Sequence, residues 1–365
     1  MKAFELPKVE RLPHAARRDT RTPLRGVLRF PEDPKVPARL LLACVLGCMA
    51  TALCYLLLVH TSVGQRMDDA AYYGAVRAGS QHSGFIDTQL RRMDERSLKV
   101  TMVAMFGIGL LRRRPILGIG GALVVGAPVA ATHVLRYHVL DRSPFAVVSA
   151  IGNTFPSGHA AGAAGCAMAL VLVSPPRTRG IAAILGGVFA AAVAAQVQVI
   201  GWHRPSDSIG ACLLAFACAS GVAGVLAWTR PGRAQKRRRQ WGAFGVMVAA
   251  STVAITLGAL SAAQGIGLSG GTASPAVQHQ AYVAGLEVTI SVVALLMAAL
   301  LLLIGDADFD DGWRKAIAAA RDLLLQRRRE AQPLVRKRDP KEVGGRRSSP
   351  SGGDVGASEL QLDGA

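Results

Sequence analysis

Cysteine is present, but in no arrangement that stabilises a fold or catalyses a reaction. The six cysteines, Cys44, Cys48, Cys54, Cys166, Cys212 and Cys218, all lie inside apolar runs. They have neither the pattern of a disulfide framework nor a zinc-ligand spacing, and are read as small packing hydrophobes. Acidic residues are scarce: 24 Asp and Glu face 42 Lys and Arg, for a formal net charge of +18. A basic chain can mean nucleic acid, so the place of the charge decides. The basic stretches RPGRAQKRRRQ (230–240) and QRRREAQPLVRKR (326–338) lack aromatic residues between their charges on which bases could stack. They read as solvated flanks of membrane segments, and no nucleic-acid partner is expected. No internal repeat is found, and no carboxylate cluster or Cys/His spacing implies a catalytic metal or a cofactor.

What the chain does have is apolar length. Of its 365 residues 51% are hydrophobic, and most of these fall in runs long enough for a helix to cross about 30 Å of hydrocarbon. The fold class expected is all-α, a polytopic transmembrane helical bundle of about eight spans: 40–60, 97–111, 116–134, 158–174, 180–200, 208–228, 241–261 and 282–305. The second is interrupted, with Lys99 needing to snorkel. Loop charge supports keeping it. With eight spans and a cytoplasmic N-terminus, the loops RRRP (112–115), SPPRTRG (174–180) and 230–240 and the C-terminal tail all fall inside, and each is basic. The loop 265–280 falls outside and has no Lys or Arg, and in 61–96 five basic residues balance five acids. The basic segment 1–39 is too long for an ordinary signal, so the first span reads as an uncleaved anchor. Residues 311–330 have the spacing of a helix lying on the inner leaflet, followed by a disordered tail. The many Gly and Ala within the spans are assigned only close helix packing.

Polar residues converge at span ends on one predicted face. LRYHVLDRSPF carries Arg136, His138, Asp141 and Arg142; TFPSGH carries Ser157, Gly158 and His159; GWHRPSDSIG carries His203, Arg204, Ser206 and Asp207. A helix leaving His159 and returning through the next span brings His203 back to the same face, 44 positions later. Two histidines, one four residues before an aspartate, supply a nucleophile or base, a partner for its imidazole and a separate general acid. Arginines match phosphate oxygens, and Ser157 with the backbone amides of Ser157 and Gly158 at a helix start forms an anion site. Together these point to metal-independent attack on phosphorus. His60, His133 and His138, taken singly, are read as structural.

PSGH followed by HRPSD resembles the type 2 phosphatidic acid phosphatase superfamily, which also holds vanadium haloperoxidases, and the GWHRPSD form resembles its actinobacterial membrane members. The resemblance covers about residues 97–229, with its catalytic part in 136–207. It implies a six-helix phosphatase core in spans 1–6 and a membrane phosphatase domain over 40–229; the apolar runs beyond it give two additional transmembrane helices over 230–305, followed by a cytoplasmic tail over 306–365. Carried over, His203 is the nucleophile forming a phosphohistidine, Asp207 holds its other nitrogen, and His159 protonates the leaving oxygen and then activates water. Ser157, Gly158 and Arg142 bind phosphate, and Arg136 stands where the family has lysine. Two departures stand out. The Arg-Pro pair is interrupted as Arg142, Ser143, Pro144, and the expected Ser-Arg pair falls on Gln196 and Val197, which removes a phosphate-binding arginine unless Arg204, adjacent to His203, replaces it. The implied activity is hydrolysis of a lipid phosphate or pyrophosphate, such as phosphatidate, phosphatidylglycerol phosphate or a polyprenyl pyrophosphate, in the bilayer of the bacterial cytoplasmic membrane with the site facing outside. A phosphotransferase using an alcohol acceptor and an inactive membrane scaffold remain as alternatives, and no oligomeric state is read from the chain.

Overall fold

The computed structural model describes residues 35–79, 83–93, 95–142, 152–229, 240–264, 273–304, 307, 309 and 321–328. The segment 1–34, the loop positions Ser143 and Pro144, most of the basic loop 230–240, residues 265–272 of the loop 265–280 and the final tail lie outside these residues. Two compact units divide the chain, Met1–Trp313 and Arg314–Ala365. In the second, residues 321–328 of the expected surface helix are helical and exposed.

Ten helices are described in the first unit: α1 Lys35–Cys54, α2 Ser62–Gly79, α3 Ser83–Arg91, α4 Glu95–Leu111, α5 Pro115–Val134, α6 Gly158–Val173, α7 Arg179–Val199, α8 Pro205–Thr229, α9 Trp241–Gln264 and α10 Pro275–Ile304. No strand occurs among the described residues, and the fold is an all-α bundle. Each of the eight predicted spans is a helix. Six are long and apolar enough to cross a membrane, counting α1 and α5 with the π-helical turns that extend them to Val59 and Val139. The other two, α4 with 17 residues and α6 with 16, are shorter.

The shortness of α6 has a reason in its position. A 16-residue helix rises only about 24 Å, but α6 packs against α5, α7 and α8, and most of its residues are buried. Its GHAAGAAGCAMA sequence permits this: a Cβ on Gly165 would lie 2.8 Å from Val124 O of α5. Helices that cross this closely gain van der Waals contact where lipid offers no hydrophobic drive to associate. α1 lies along α8, and α10 packs on α9, α2, α7 and α8. The outward faces are apolar, with Leu46, Val103, Leu185 and Val253 all exposed, the inverse of a water-solvated surface.

Two helices stand in the predicted outer segment 61–96, where the sequence shows charge balance and no span. α2 reaches the N-terminal part of α10, and a Cβ on its Gly74 would fall 2.1 Å from Gln278 O. That contact accounts for α10 beginning at Pro275, seven residues ahead of its apolar run: Gln278 is buried against α2.

Candidate functional site

The three polar clusters meet at one end of the bundle, each placed by a local device. After α5 the backbone opens into a π-helical turn, Leu135–Val139, that carries Arg136; such turns insert a residue and recur at functional sites. Asn153 fixes this turn to the approach of α6. Its amide nitrogen donates to Leu140 O at 2.6 Å and Arg136 O at 3.3 Å, and Arg136 Nε donates back to Asn153 O at 3.0 Å. Ser157 then caps α6, its Oγ accepting from Ala160 N–H at 3.4 Å, as N-cap serines do. Gly158 and His159 follow in the first turn.

His203 is delivered by the turn between α7 and α8. Gly201 adopts a left-handed φ of +67°, a conformation costly for any residue with a Cβ. This lets the N–H groups of Trp202 and His203 donate back to Val197 O at 3.0 and 3.1 Å, closing α7 and turning the chain. α8 begins two residues later, with Asp207 in its first turn.

Asp207 is the hub. One oxygen, Oδ2, faces His203 Nδ1 at 3.4 Å and accepts from Thr154 Oγ1 at 2.6 Å and from Arg204 N–H at 3.0 Å. The other, Oδ1, accepts from Arg142 Nη2 at 3.0 Å. Ser157 N–H donates to the Asp207 carbonyl at 3.0 Å, tying the PSGH turn to HRPSD through the backbone. With Nδ1 held by the carboxylate, His203 is oriented and its Nε2 is left for chemistry.

Around this hub lies a layer that the motifs do not reveal. Asp68 and Asp69 of α2 are both buried. Asp68 accepts from Ser206 N–H at 3.2 Å and from the Ser206 hydroxyl, and lies 3.8 Å from Arg142 Nη1. Asp69 accepts from Arg204 Nε at 2.9 Å, while that guanidinium also lies over Tyr72. Burial, then the neighbouring Asp207 carboxylate, push the Asp68 carboxyl up to about 7, against the opposing pull of Ser206 and Arg142. Both arginines keep unused donors: Arg142 Nε and Nη1 and Arg204 Nη2 are buried without a hydrogen-bond partner. Buried donors are normally satisfied, and these have the charge and geometry to receive an anion's oxygens.

A cavity of about 970 Å³ opens beside this network. His159, His203, Gly158 and Arg136 line it, together with Arg91, His133 and Trp202, and it extends along Leu98, Val129, Gly162, Cys166 and Phe189. The predicted residues therefore fall into two groups. Arg136, Gly158, His159 and His203 face the cavity; Asp207, Arg142, Arg204 and Ser157 form the hydrogen-bonded layer joined to it through His203. At the position of the missing family arginine, Val197 is fully buried with Leu90, Ala163 and Val193. Among the described residues no three His, Cys, Asp or Glu side chains form a group that could hold a metal ion. The sequence reading missed Asp68, Asp69, Leu90, Arg91, Asn153 and Thr154. A signal existed for the first two, adjacent acids inside an otherwise small and apolar stretch, MDDAAYYGAV.

Residues 121–231 match the family model of the PAP2 superfamily. The match supports that superfamily of phosphatases and phosphoesterases, and takes in most of α5, all of α6, α7 and α8, and every predicted site residue. α1 to α4, α9 and α10 lie outside it. Neither a curated protein nor a solved structure matches the chain.

Proposed function

We propose that the protein is an integral-membrane, metal-independent phosphatase that hydrolyses a lipid phosphomonoester or pyrophosphate through a phosphohistidine, in the manner of membrane members of the PAP2 superfamily. The observation that carries this reading is the pair of histidines on one cavity, one of them held through Nδ1 by a buried aspartate. In the first step His203 Nε2 attacks phosphorus, the bond to the leaving oxygen breaks, and protonated His159 gives that oxygen its proton. In the second, neutral His159 takes a proton from water, the hydroxide attacks phosphorus, the P–N bond breaks, and inorganic phosphate leaves with His203 restored. Arg136 and Gly158 meet the phosphoryl group from the cavity, and Arg142, Arg204 and Ser157 supply donors from the layer behind them. Preorganised donors of this kind supply on the order of 10²- to 10³-fold in rate each.

Two features favour a lipid substrate. The cavity continues from the histidines along the apolar residues Leu98, Val129 and Phe189, where a chain remaining in the bilayer can run while its headgroup enters. The short α6, with His159 in its first turn, leaves room for a recess at its N-terminal end. The orientation follows from charge. Arg112, Arg113, Arg114, Arg177 and Arg179 all stand at the end of the bundle opposite the site. The positive-inside bias supports a cytoplasmic position for that end and a site on the outer face of the bacterial cytoplasmic membrane.

The test is purified full-length protein assayed on phosphatidate, phosphatidylglycerol phosphate and a polyprenyl pyrophosphate, with and without EDTA. Inorganic phosphate released one for one with substrate loss, insensitive to EDTA and absent in His203→Ala and His159→Ala, is the expected result. Phosphate appearing on an added alcohol instead of in solution would make the protein a transferase. Undiminished turnover in either variant would refute the mechanism.

A further inference from the structure

The end of α3 forms a wall of the cavity that no family motif reaches. Leu90 is fully buried among Ala163 of α6 and Val193 and Val197 of α7. Its backbone lies beside His159 of α6. Trp202, which precedes His203, packs its ring 5.5 Å from the ring of His159. Arg91 completes the group. Its guanidinium lies 5.1 Å over the Trp202 ring, Nε donates to Asp87 at 2.6 Å, and the residue lines the same cavity as both histidines.

This arrangement bears on the arginine that the sequence lacks. Where the superfamily pattern expects a phosphate-binding arginine, this chain has Val197, whose side chain is spent on packing against Leu90. That same contact seats α3 so that the next residue, Arg91, stands at the cavity. Resting on the phosphatase reading, we propose that Arg91 is a substrate-binding residue that holds an anionic phosphate oxygen of the lipid headgroup, in place of the arginine missing at position 197. The stack on Trp202 holds the guanidinium flat and ordered before substrate arrives, which reduces the entropy lost on binding. Cation and acceptor are then matched as a planar donor to phosphate.

The inference is separable from the idea that Arg91 only steadies α3. Its side chain is 67% exposed and its partner Asp87 lies one turn away on the same helix, and an exposed pair of this kind contributes little to stability. Arg91→Gln, Arg91→Lys and Asp87→Asn are compared in the full-length protein, reading kcat and KM on the best lipid phosphate, orthovanadate binding, and the thermal midpoint. Arg91→Gln is expected to lower kcat/KM on the order of 10²-fold and to weaken vanadate binding at least about tenfold, at an unchanged midpoint. Arg91→Lys should recover part of the loss, and Asp87→Asn should stay within about threefold of wild type. Equal losses in Arg91→Gln and Asp87→Asn, or wild-type kcat/KM and vanadate binding in Arg91→Gln, would overturn the inference while leaving the phosphatase reading intact. A wild-type protein that neither turns over a lipid phosphate nor binds vanadate would overturn the phosphatase reading, and this inference with it.

Discussion

The two ends of the bundle both bury arginine, and they use it differently. At the far end from the site, Arg179 Nη1 donates to Ile304 O at 2.5 Å and Ala307 O at 2.7 Å, Arg114 Nη1 donates to Phe309 O at 2.9 Å, and Arg112 reaches Val173 O. These acceptors are carbonyls at or just past the C-terminal ends of α10 and α6. Orphan carbonyls and the negative end of the helix dipole both favour a cation there, so the arginines act as clasps between helices. At the site end, Arg142 and Arg204 bind carboxylates, Asp207 and Asp69. A clasp joins one helix end to another; the site arginines are tied instead into the carboxylate network around His203. The two ends differ in what their guanidinium groups meet: helix-end carbonyls at one, carboxylates at the other.

The largest expected effect that separates the two ends is on turnover. Arg142→Gln should lower kcat/KM by about 10²- to 10³-fold, through lost donors at the phosphoryl group. Arg179→Gln should leave kcat/KM of the folded protein within about threefold but cost about 2–3 kcal/mol of stability, through lost charged hydrogen bonds to carbonyls. Steady-state kinetics with thermal unfolding in the same detergent reads both, and the reverse pattern would remove the distinction.

A smaller effect concerns acid. Because the folded Asp68 carboxyl titrates at about 7 and an unfolded aspartate near 3.9, the folded state holds the Asp68 proton over that window while the unfolded chain has released it. Asp68 therefore contributes stability that is complete below about pH 4 and lost as pH rises to about 7. Its surroundings are Asp207 and Ser206 of α8, Arg142, Cys54 of α1 and its own neighbour Asp69. In Asp68→Asn the thermal midpoint should vary less with pH across that window than in wild type. An identical pH dependence in the two proteins would show that Asp68 is not the group responsible.

Much of the site was legible because its chemistry is concentrated in three short stretches. PSGH and HRPSD are local patterns, and span lengths alone bring His159 and His203 to one end. Helix existence was equally legible, since a run of apolar residues has few alternatives in lipid. The contribution of α2 and α3 was hidden for the opposite reason. Their residues act across great sequence distance: Asp69 meets Arg204 over 135 positions, and Leu90 meets Val197 with nothing in either local sequence to announce it. Charge balance in 61–96 reads as a solvated loop when the partners are unknown, although two of its acids are buried. Arg204 was legible as a spare cation, but its tether to Asp69 and its place behind the cavity were not.

Every part of the account depends on His203 accepting the phosphoryl group. The direct measurement is rapid quenching of the full-length protein during turnover of a lipid labelled on its phosphate, followed by location of the label along the chain. The account predicts a base-stable, acid-labile phosphate on the peptide carrying His203, absent in His203→Ala. Label on any other residue, or normal turnover by His203→Ala, would contradict it.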